Sequence, residues 1–312
     1  MPSVMTVCGS IDPEYLGVTL PHEHIFIDLT AWPGGRTVAG EDAIIDSERH
    51  ERLMIAELQQ FQAVGGKSIV ELTVKNMGGD PPALRRVSEA TGLHIIAGCG
   101  WYRDSYMSPD LNHRPTDQLA EELIYEIEHG IAGTDVRPGI IGEIGADYHH
   151  LTAIEERCLR ASAMAQRATG LAITTHLPRR DAAFETLAIL AEYGVPPEKI
   201  VVGHADQYDS IEYQLALLKR GVFIEFEIIR PHYPYARTMP TIDMTAELVR
   251  LGYAGQMLMS RDVCSQSMLR RNGGGGFDYL ITDFLPALRE RGIDDEAIHT
   301  MTVENPKRLL SI

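Results

Sequence analysis

The sequence predicts a (β/α)8 TIM barrel, read as a single domain over residues 1–312. Three observations carry this prediction. Eight short runs rich in apolar and β-branched residues recur along the chain, continuously apolar as in strands covered on both faces, with helix-like segments between them. Glycines end those segments, at Gly65-Gly66, Gly92, Gly170, Gly194 and Gly221, each just ahead of a run. The length of 312 residues suits eight βα units, which need about 250 residues or more. A doubly wound open sheet is the other architecture this alternation allows, but eight units of this length suit closure better.

Taken in order, residues 1–16 form an extra segment, read as a small hairpin ahead of the first barrel strand. The strand runs follow at 17–20, 68–74, 94–98, 139–144, 171–175, 199–203, 222–228 and 256–260. Helical spacing marks 41–64, with Ile44, Ile45, Leu53, Ile55, Ala56 and Leu58 as its apolar positions, and then 119–131, 152–169, 181–193, 211–220, 244–251 and 277–291. Thr152 and Glu155, three residues apart, make a capping box at the start of 152–169. Residues 270–276, Arg-Arg-Asn followed by four glycines, read as a flexible loop, with a Gly-hinged lid carrying Arg270 and Arg271 as the functional alternative.

Composition narrows the function. Apolar residues make up 44% and charged residues 23%, enough for a sizeable core. The net charge of −16, with no Lys/Arg cluster, excludes a nucleic-acid binder and disfavours an anionic membrane surface. No run of about 18 apolar residues exists to span a bilayer, and the N-terminus lacks the basic and apolar regions of a secretion signal. Cys8, Cys99, Cys158 and Cys264 are scattered, which suggests neither a thiolate zinc site nor a disulfide framework. The expectation is a cytoplasmic enzyme acting on a small-molecule substrate.

The chemistry sits where a barrel keeps it, at the C-terminal ends of the strands. Strand one ends in Pro21-His22-Glu23-His24; strand four contains Gly142-Glu143; strand five ends in His176; strand six in His204-Ala205-Asp206; strand eight in Arg261-Asp262. His22 and His24, two apart on extended chain, point the same way and can reach one ion. Four imidazoles and two carboxylates suffice for two divalent ions sharing a ligand, zinc first, with manganese, cobalt or iron as alternatives. A lone strand-end histidine is usually structural; five such strand ends on one barrel face are not explained that way. Trp101, Tyr102 and Tyr106 after strand three are expected to give an aromatic wall. Glu227, Arg230, His232 and Tyr233 after strand seven are expected to meet a polar substrate end, with Arg230 the candidate for a carboxylate or sulfonate. His149-His150 reads as solvated loop.

These motifs resemble a known group. His-X-His after strand one, a bridging ligand on strand four, His on strands five and six and Asp on strand eight resemble the amidohydrolase superfamily. Gly17–His24, Thr174–Pro178, Val201–Asp206 and Gly274–Leu280 are similar to the phosphotriesterase family, as is Glu304-Asn305-Pro306 near the end. In familiar phosphotriesterases a carbamylated lysine bridges the ions; here Glu143 holds that place, as in the phosphotriesterase homology branch. A carboxylate offers the same two oxygens and one charge as a carbamate. Lys67 and Lys75 lie on or beside strand two and are not candidates.

The resemblance implies His22, His24 and Asp262 around a buried ion, His176 and His204 around an exposed one, and Glu143 bridging both. It implies attack by a hydroxide between the ions, with Asp262 shuttling the proton and Asp206 as a relay or orienting group. It is also consistent with a homodimer. Hydrolysis of small carbonyl esters or lactones, with amides included, is the expected activity. Phosphotriester hydrolysis and a non-catalytic ligand-binding barrel are the alternatives, since fold analogy alone warrants neither.

Overall fold

The computed structural model describes residues 2–30, 40–146, 150–177, 180–231 and 240–312. Eight parallel strands form one sheet in chain order: β1 (Val18–Glu23), β2 (Gly66–Glu71), β3 (His94–Cys99), β4 (Ile140–Gly145), β5 (Ile173–His176), β6 (Ile200–Val202), β7 (Phe223–Phe226) and β8 (Met257–Met259). Hydrogen bonds between the two edge strands' ends draw the sheet into a barrel. The Asp262 N–H reaches the His22 carbonyl at 3.3 Å, and Ser260 Oγ lies 2.8 Å from the same carbonyl. Glu23 stitches this seam from the other side, accepting from Ser260 Oγ (2.7 Å) and from the N–H groups of Arg261 (2.8 Å) and Val263 (2.9 Å).

Two layers of apolar side chains follow from the period of two along each strand. Val70, Ile96, Ile140, Ala172, Val201, Phe223 and Leu258 pack with one another inside the barrel, while Ile69, Ile95, Ile141, Ile173, Ile200, Ile224 and Met257 join the larger core under the helices. Val4, Leu16, Leu309 and Leu310 complete the inner cluster, so both chain ends plug the end of the barrel away from the His-bearing strand ends. Ser3 and Ile312 exchange two backbone bonds of 3.0 Å there. The N-terminal segment is an antiparallel pair, Val4–Thr6 with Gly9–Ile11.

The outer layer comprises α1 (Ser47–Ala63), α2 (Pro81–Thr91), α3 (Thr116–His129), α4 (Ala153–Thr169), α5 (Arg180–Glu192), α6 (Ile211–Leu218), α7 (Thr241–Arg250) and α8 (Leu285–Glu290), followed by α9 (Asp295–His299) and α10 (Asn305–Leu310). The capping box of α4 is present: Glu155 N donates to Thr152 Oγ1 and Thr152 N to Glu155 Oε2. Gly92 and Gly170 close α2 and α4 with φ of 73° and 79°, left-handed values at which a side chain is strained.

Three expectations change. The helix expected at 41–64 starts only at Ser47, because Asp46 caps it through Arg49 N (2.8 Å) while Ile44–Ile45 pairs with Ile27–Asp28. The helix-like segment ending at Gly92, given no start by the spacing, is α2: Pro81-Pro82 sits in its first turn, which needs no proline N–H, and Asp80 caps it through Ala83 N (3.0 Å). The loop at 270–276 is fastened rather than hinged. Buried Arg261 donates to Gly274 O (2.8 Å), Gly276 O (3.0 Å) and Ile229 O; Arg270 pairs with Asp278; and Glu57 accepts the Arg270 and Arg271 N–H groups.

Candidate metal centre

The His and carboxylate side chains at the strand ends converge on Glu143. His22 and His24 leave β1 on one side, their ring centroids 5.6 Å apart, while Glu23 between them turns into the seam. Glu143 reaches the centre from β4, and the strand beside it leaves no room for a side chain at Gly142, where a Cβ would lie 2.4 Å from the Thr174 carbonyl. His204 and Asp262 adopt left-handed backbone, with φ of 54° and 48°, a conformation that costs a non-glycine residue about 1–3 kcal/mol and clusters at functional sites.

One Glu143 oxygen, Oε1, faces three imidazoles: His176 Nδ1 at 2.6 Å, His204 Nε2 at 3.2 Å and His22 Nε2 at 3.4 Å. The other, Oε2, lies 4.0 Å from His24 Nε2. Asp262 Oδ1 stands 3.5 Å from His24 Nε2 and 3.9 Å from His22 Nε2, and its Oδ2 meets Arg230 at 3.2 Å. His22, His24 and Glu143 form one group of donors within 4.8 Å of each other, and Glu143, His176 and His204 form a second, with Glu143 common to both.

Each imidazole is braced from behind. Thr73 Oγ1 holds His24 Nδ1 at 2.9 Å, and the Tyr102 hydroxyl stands 3.0 Å from His176 Nε2. Glu227 stands 2.9 Å from His22 Nδ1 and 2.5 Å from His204 Nδ1, and Glu225 Oε2 makes the hydrogen bond to His22 Nδ1 at 3.3 Å.

The donor set fits divalent cations. The six side chains are almost wholly withdrawn from water; Asp262, with 14% of its side chain exposed, is the most open. His22 Nε2 has no hydrogen-bond partner, and His176 Nδ1 and His204 Nε2 lie 2.7 Å apart, close enough to converge on one ion. Burial would raise the Glu143 carboxyl, yet the His176 and His22 imidazoles hold it well below the usual range. Burial likewise opposes charge on His22, but Glu227 and Glu143 hold its imidazole well above the ordinary value. His176, with burial dominant, falls to about 4 and is neutral, the state in which an imidazole ligates. Buried Glu225 is pushed up to about 8, so of the two neighbouring carboxylates it is Glu227 that carries the charge.

Several sequence-based site readings need correction. Glu227 is fully buried behind His22 and His204 and does not meet a substrate. Trp101 is 2% exposed beneath Lys75, whose Nζ sits 5.3 Å above its ring, so it forms no wall. Tyr106 is equally buried and donates its hydroxyl to Leu29 O; only Tyr102 of that trio touches the centre. Asp206 accepts the Ile228 N–H at 2.8 Å and braces the loop after β7. Arg230 does stand at the mouth. His149, His232 and Tyr233 lie outside the described residues.

Sequence reasoning missed Thr73, Glu225 and the buried Arg261. One signal was readable: Glu225 and Glu227, two apart on an apolar strand, must face one side together. Among the described residues no helix is long and apolar enough to cross a membrane.

Comparison with known proteins agrees with this geometry. The sequence profile of the phosphotriesterase family matches residues 2–310. The chain is 32% identical over 302 residues to the phosphotriesterase homology protein of Escherichia coli (strain K12), covering 96% of this chain and 99% of that one. It is 32% identical over 343 residues to the N-acetyltaurine hydrolase of Tetraodon nigroviridis, covering 99% and 97%. A crystal structure of a lactonase from Listeria monocytogenes superimposes with a TM-score of 0.90 at 26% identity, covering 99% of this chain and 98% of that one. The chain belongs to the phosphotriesterase family, and with it to the metal-dependent hydrolases.

Proposed function

We propose that the protein hydrolyses small carbonyl substrates, esters or lactones and also amides, at a centre of two divalent ions, zinc first. His22, His24 and Asp262 would hold one ion and His176 and His204 the other, with Glu143 shared between the two groups. The observation that carries this reading is the position of Glu143, one carboxylate shared by two groups of buried imidazole donors. The ions would activate water near neutral pH and polarise the scissile carbonyl.

The chain's own residues do the rest. Asp262 accepts the proton of the attacking water, and its left-handed backbone aims the carboxylate between His24 and Arg230. Burial works against charge on Asp262, but the His24, His204, His22 and Arg230 side chains hold its carboxyl below the usual range, ready to accept a proton that it then releases. The Tyr102 hydroxyl fixes the His176 ring. Arg230, with 26% of its side chain exposed, meets Asp262 Oδ2 at 3.2 Å and so stands beside the donor groups. There its guanidinium can bind an anionic substrate end, a carboxylate or sulfonate. The N-acetyltaurine hydrolases among its relatives bear names that fit this reading.

Arg230→Ala tests the substrate class. With metal-reconstituted protein and matched carbonyl substrates, kcat/KM for those with an anionic end should fall by about 10- to 100-fold, consistent with loss of a charge-assisted contact, while neutral isosteres change less than threefold. Equal losses on both would remove Arg230 from substrate recognition.

A further inference from the structure

The four imidazoles of the centre are not braced alike. His24 and His176 each lean on one neutral hydroxyl, Thr73 and Tyr102. His22 and His204 face the same carboxylate, Glu227, and His22 Nδ1 also bonds Glu225 Oε2 at 3.3 Å. Glu227 Oε1 lies 2.9 Å from His22 Nδ1, and Oε2 lies 2.5 Å from His204 Nδ1 and 3.1 Å from the His204 backbone N. His22 belongs to one donor group and His204 to the other, so a single buried side chain backs both. Gly203 makes space for it: a Cβ there would meet the Thr175 carbonyl at 2.2 Å and Glu227 Oε1 at 3.3 Å.

We infer that Glu227 is a positioning residue shared by the two ion sites, fixing His22 and His204 together in the tautomer that presents Nε2 to the ions. The inference rests on the two-ion reading above. A carboxylate can only accept, so each imidazole facing it keeps its proton on Nδ1, and Nε2 is the nitrogen that gives up its proton to an ion. Both Nε2 atoms then point at Glu143 Oε1, at 3.4 and 3.2 Å. Glu143 ties the two groups from the front and Glu227 from behind.

The geometry also says what an isosteric amide does. In Glu227→Gln one end of the side chain becomes a donor. The oxygen end stays with His204, which offers two donors, Nδ1–H and the backbone N–H, against one from His22. The amide N–H2 then faces His22 Nδ1 and competes for it with Glu225 Oε2, 3.3 Å away; where the amide wins, Nδ1 accepts, and the proton moves to His22 Nε2 and blocks it as a ligand. The His22/His24 site loses its ion first.

The test counts ions by native mass spectrometry on the folded full-length chain titrated with zinc, and reads imidazole tautomers by 15N NMR of histidine-labelled protein. Wild type should hold two ions, with His22 and His204 both protonated at Nδ1. Glu227→Gln should bind its second ion about 10- to 100-fold more weakly, the range typical of outer partners of metal-bound histidines. One imidazole should change tautomer, and Thr73→Val, which removes an unshared brace, should leave the His22 and His204 tautomers unchanged. Adding His176→Ala to Glu227→Gln should abolish the remaining ion. If wild type holds two ions and Glu227→Gln holds both with affinity within threefold and tautomers unchanged, the inference is overturned while the two-ion reading stands. If wild type holds no ion, both fall.

Discussion

Glu143→Gln is expected to leave the barrel folded and to cut kcat/KM by about a thousandfold or more, equivalent to about 4 kcal/mol of transition-state stabilisation. The amide has the shape of the carboxylate but not its charge. It cannot offset two divalent ions, and its N–H2 end would face an imidazole or an ion where Glu143 now offers an acceptor to His176, His204 and His22. Ion content, measured by elemental analysis after reconstitution, should drop from two per chain to one or fewer. A Glu143→Gln protein that keeps two ions and turns over normally contradicts the bridging role.

Asp262→Asn should give the second largest effect, through a different term. Asparagine keeps an oxygen that can ligate but cannot accept a proton, so the ion count should stay near two while kcat falls by about 10²- to 10⁴-fold, the usual contribution of a positioned general base. The KM of neutral substrates should change little, because Asp262 acts on the water rather than on substrate binding. A kcat within threefold of wild type would move proton transfer to another group. Arg230, which meets Asp262 Oδ2 at 3.2 Å, loses a charged partner in this variant, so anionic and neutral substrates should be measured together.

How much of this was readable in the sequence depends on how local each feature is. The ends of β1, β5, β6 and β8 carry His22, His24, His176, His204 and Asp262 within motifs of a few residues, and barrel topology alone places them on one face. Glu143 sat inside an apolar strand, where only a functional or paired carboxylate is tolerated. Features set by non-local packing were not readable. A carboxylate at the end of β7 looks the same whether it faces the mouth or backs two histidines, and only the positions of His22 and His204 decide that Glu227 does the latter. Trp101 and Tyr106 have the composition of a binding wall, but Lys75 and the Leu29 carbonyl cover them from elsewhere in the chain. The glycine run at 273–276 has the composition of a hinge, and Arg261 fastens it by bonds to the carbonyls of Gly274, Gly276 and Ile229. The start of α2 was not readable, because a proline pair marks a break and a helix start alike.

The arrangement also assigns separate tasks to neighbouring carboxylates. Glu23 closes the barrel seam, Glu143 lies between the donor groups, Glu227 braces imidazoles from behind and Asp262 faces the open side. Each task follows from which atoms the carboxylate meets rather than from where it falls in sequence.

The central claim is that this centre hydrolyses carbonyl rather than phosphoryl substrates. The most direct measurement is a pH-indicator assay of zinc-reconstituted protein on lactones, aryl esters and N-acyl amides beside a phosphotriester, each with a chelator control. Chelator-sensitive turnover of at least one carbonyl class is expected, with kcat/KM well above that of the phosphotriester. Phosphotriester turnover exceeding every carbonyl substrate, or carbonyl turnover that survives removal of the metal, would contradict it.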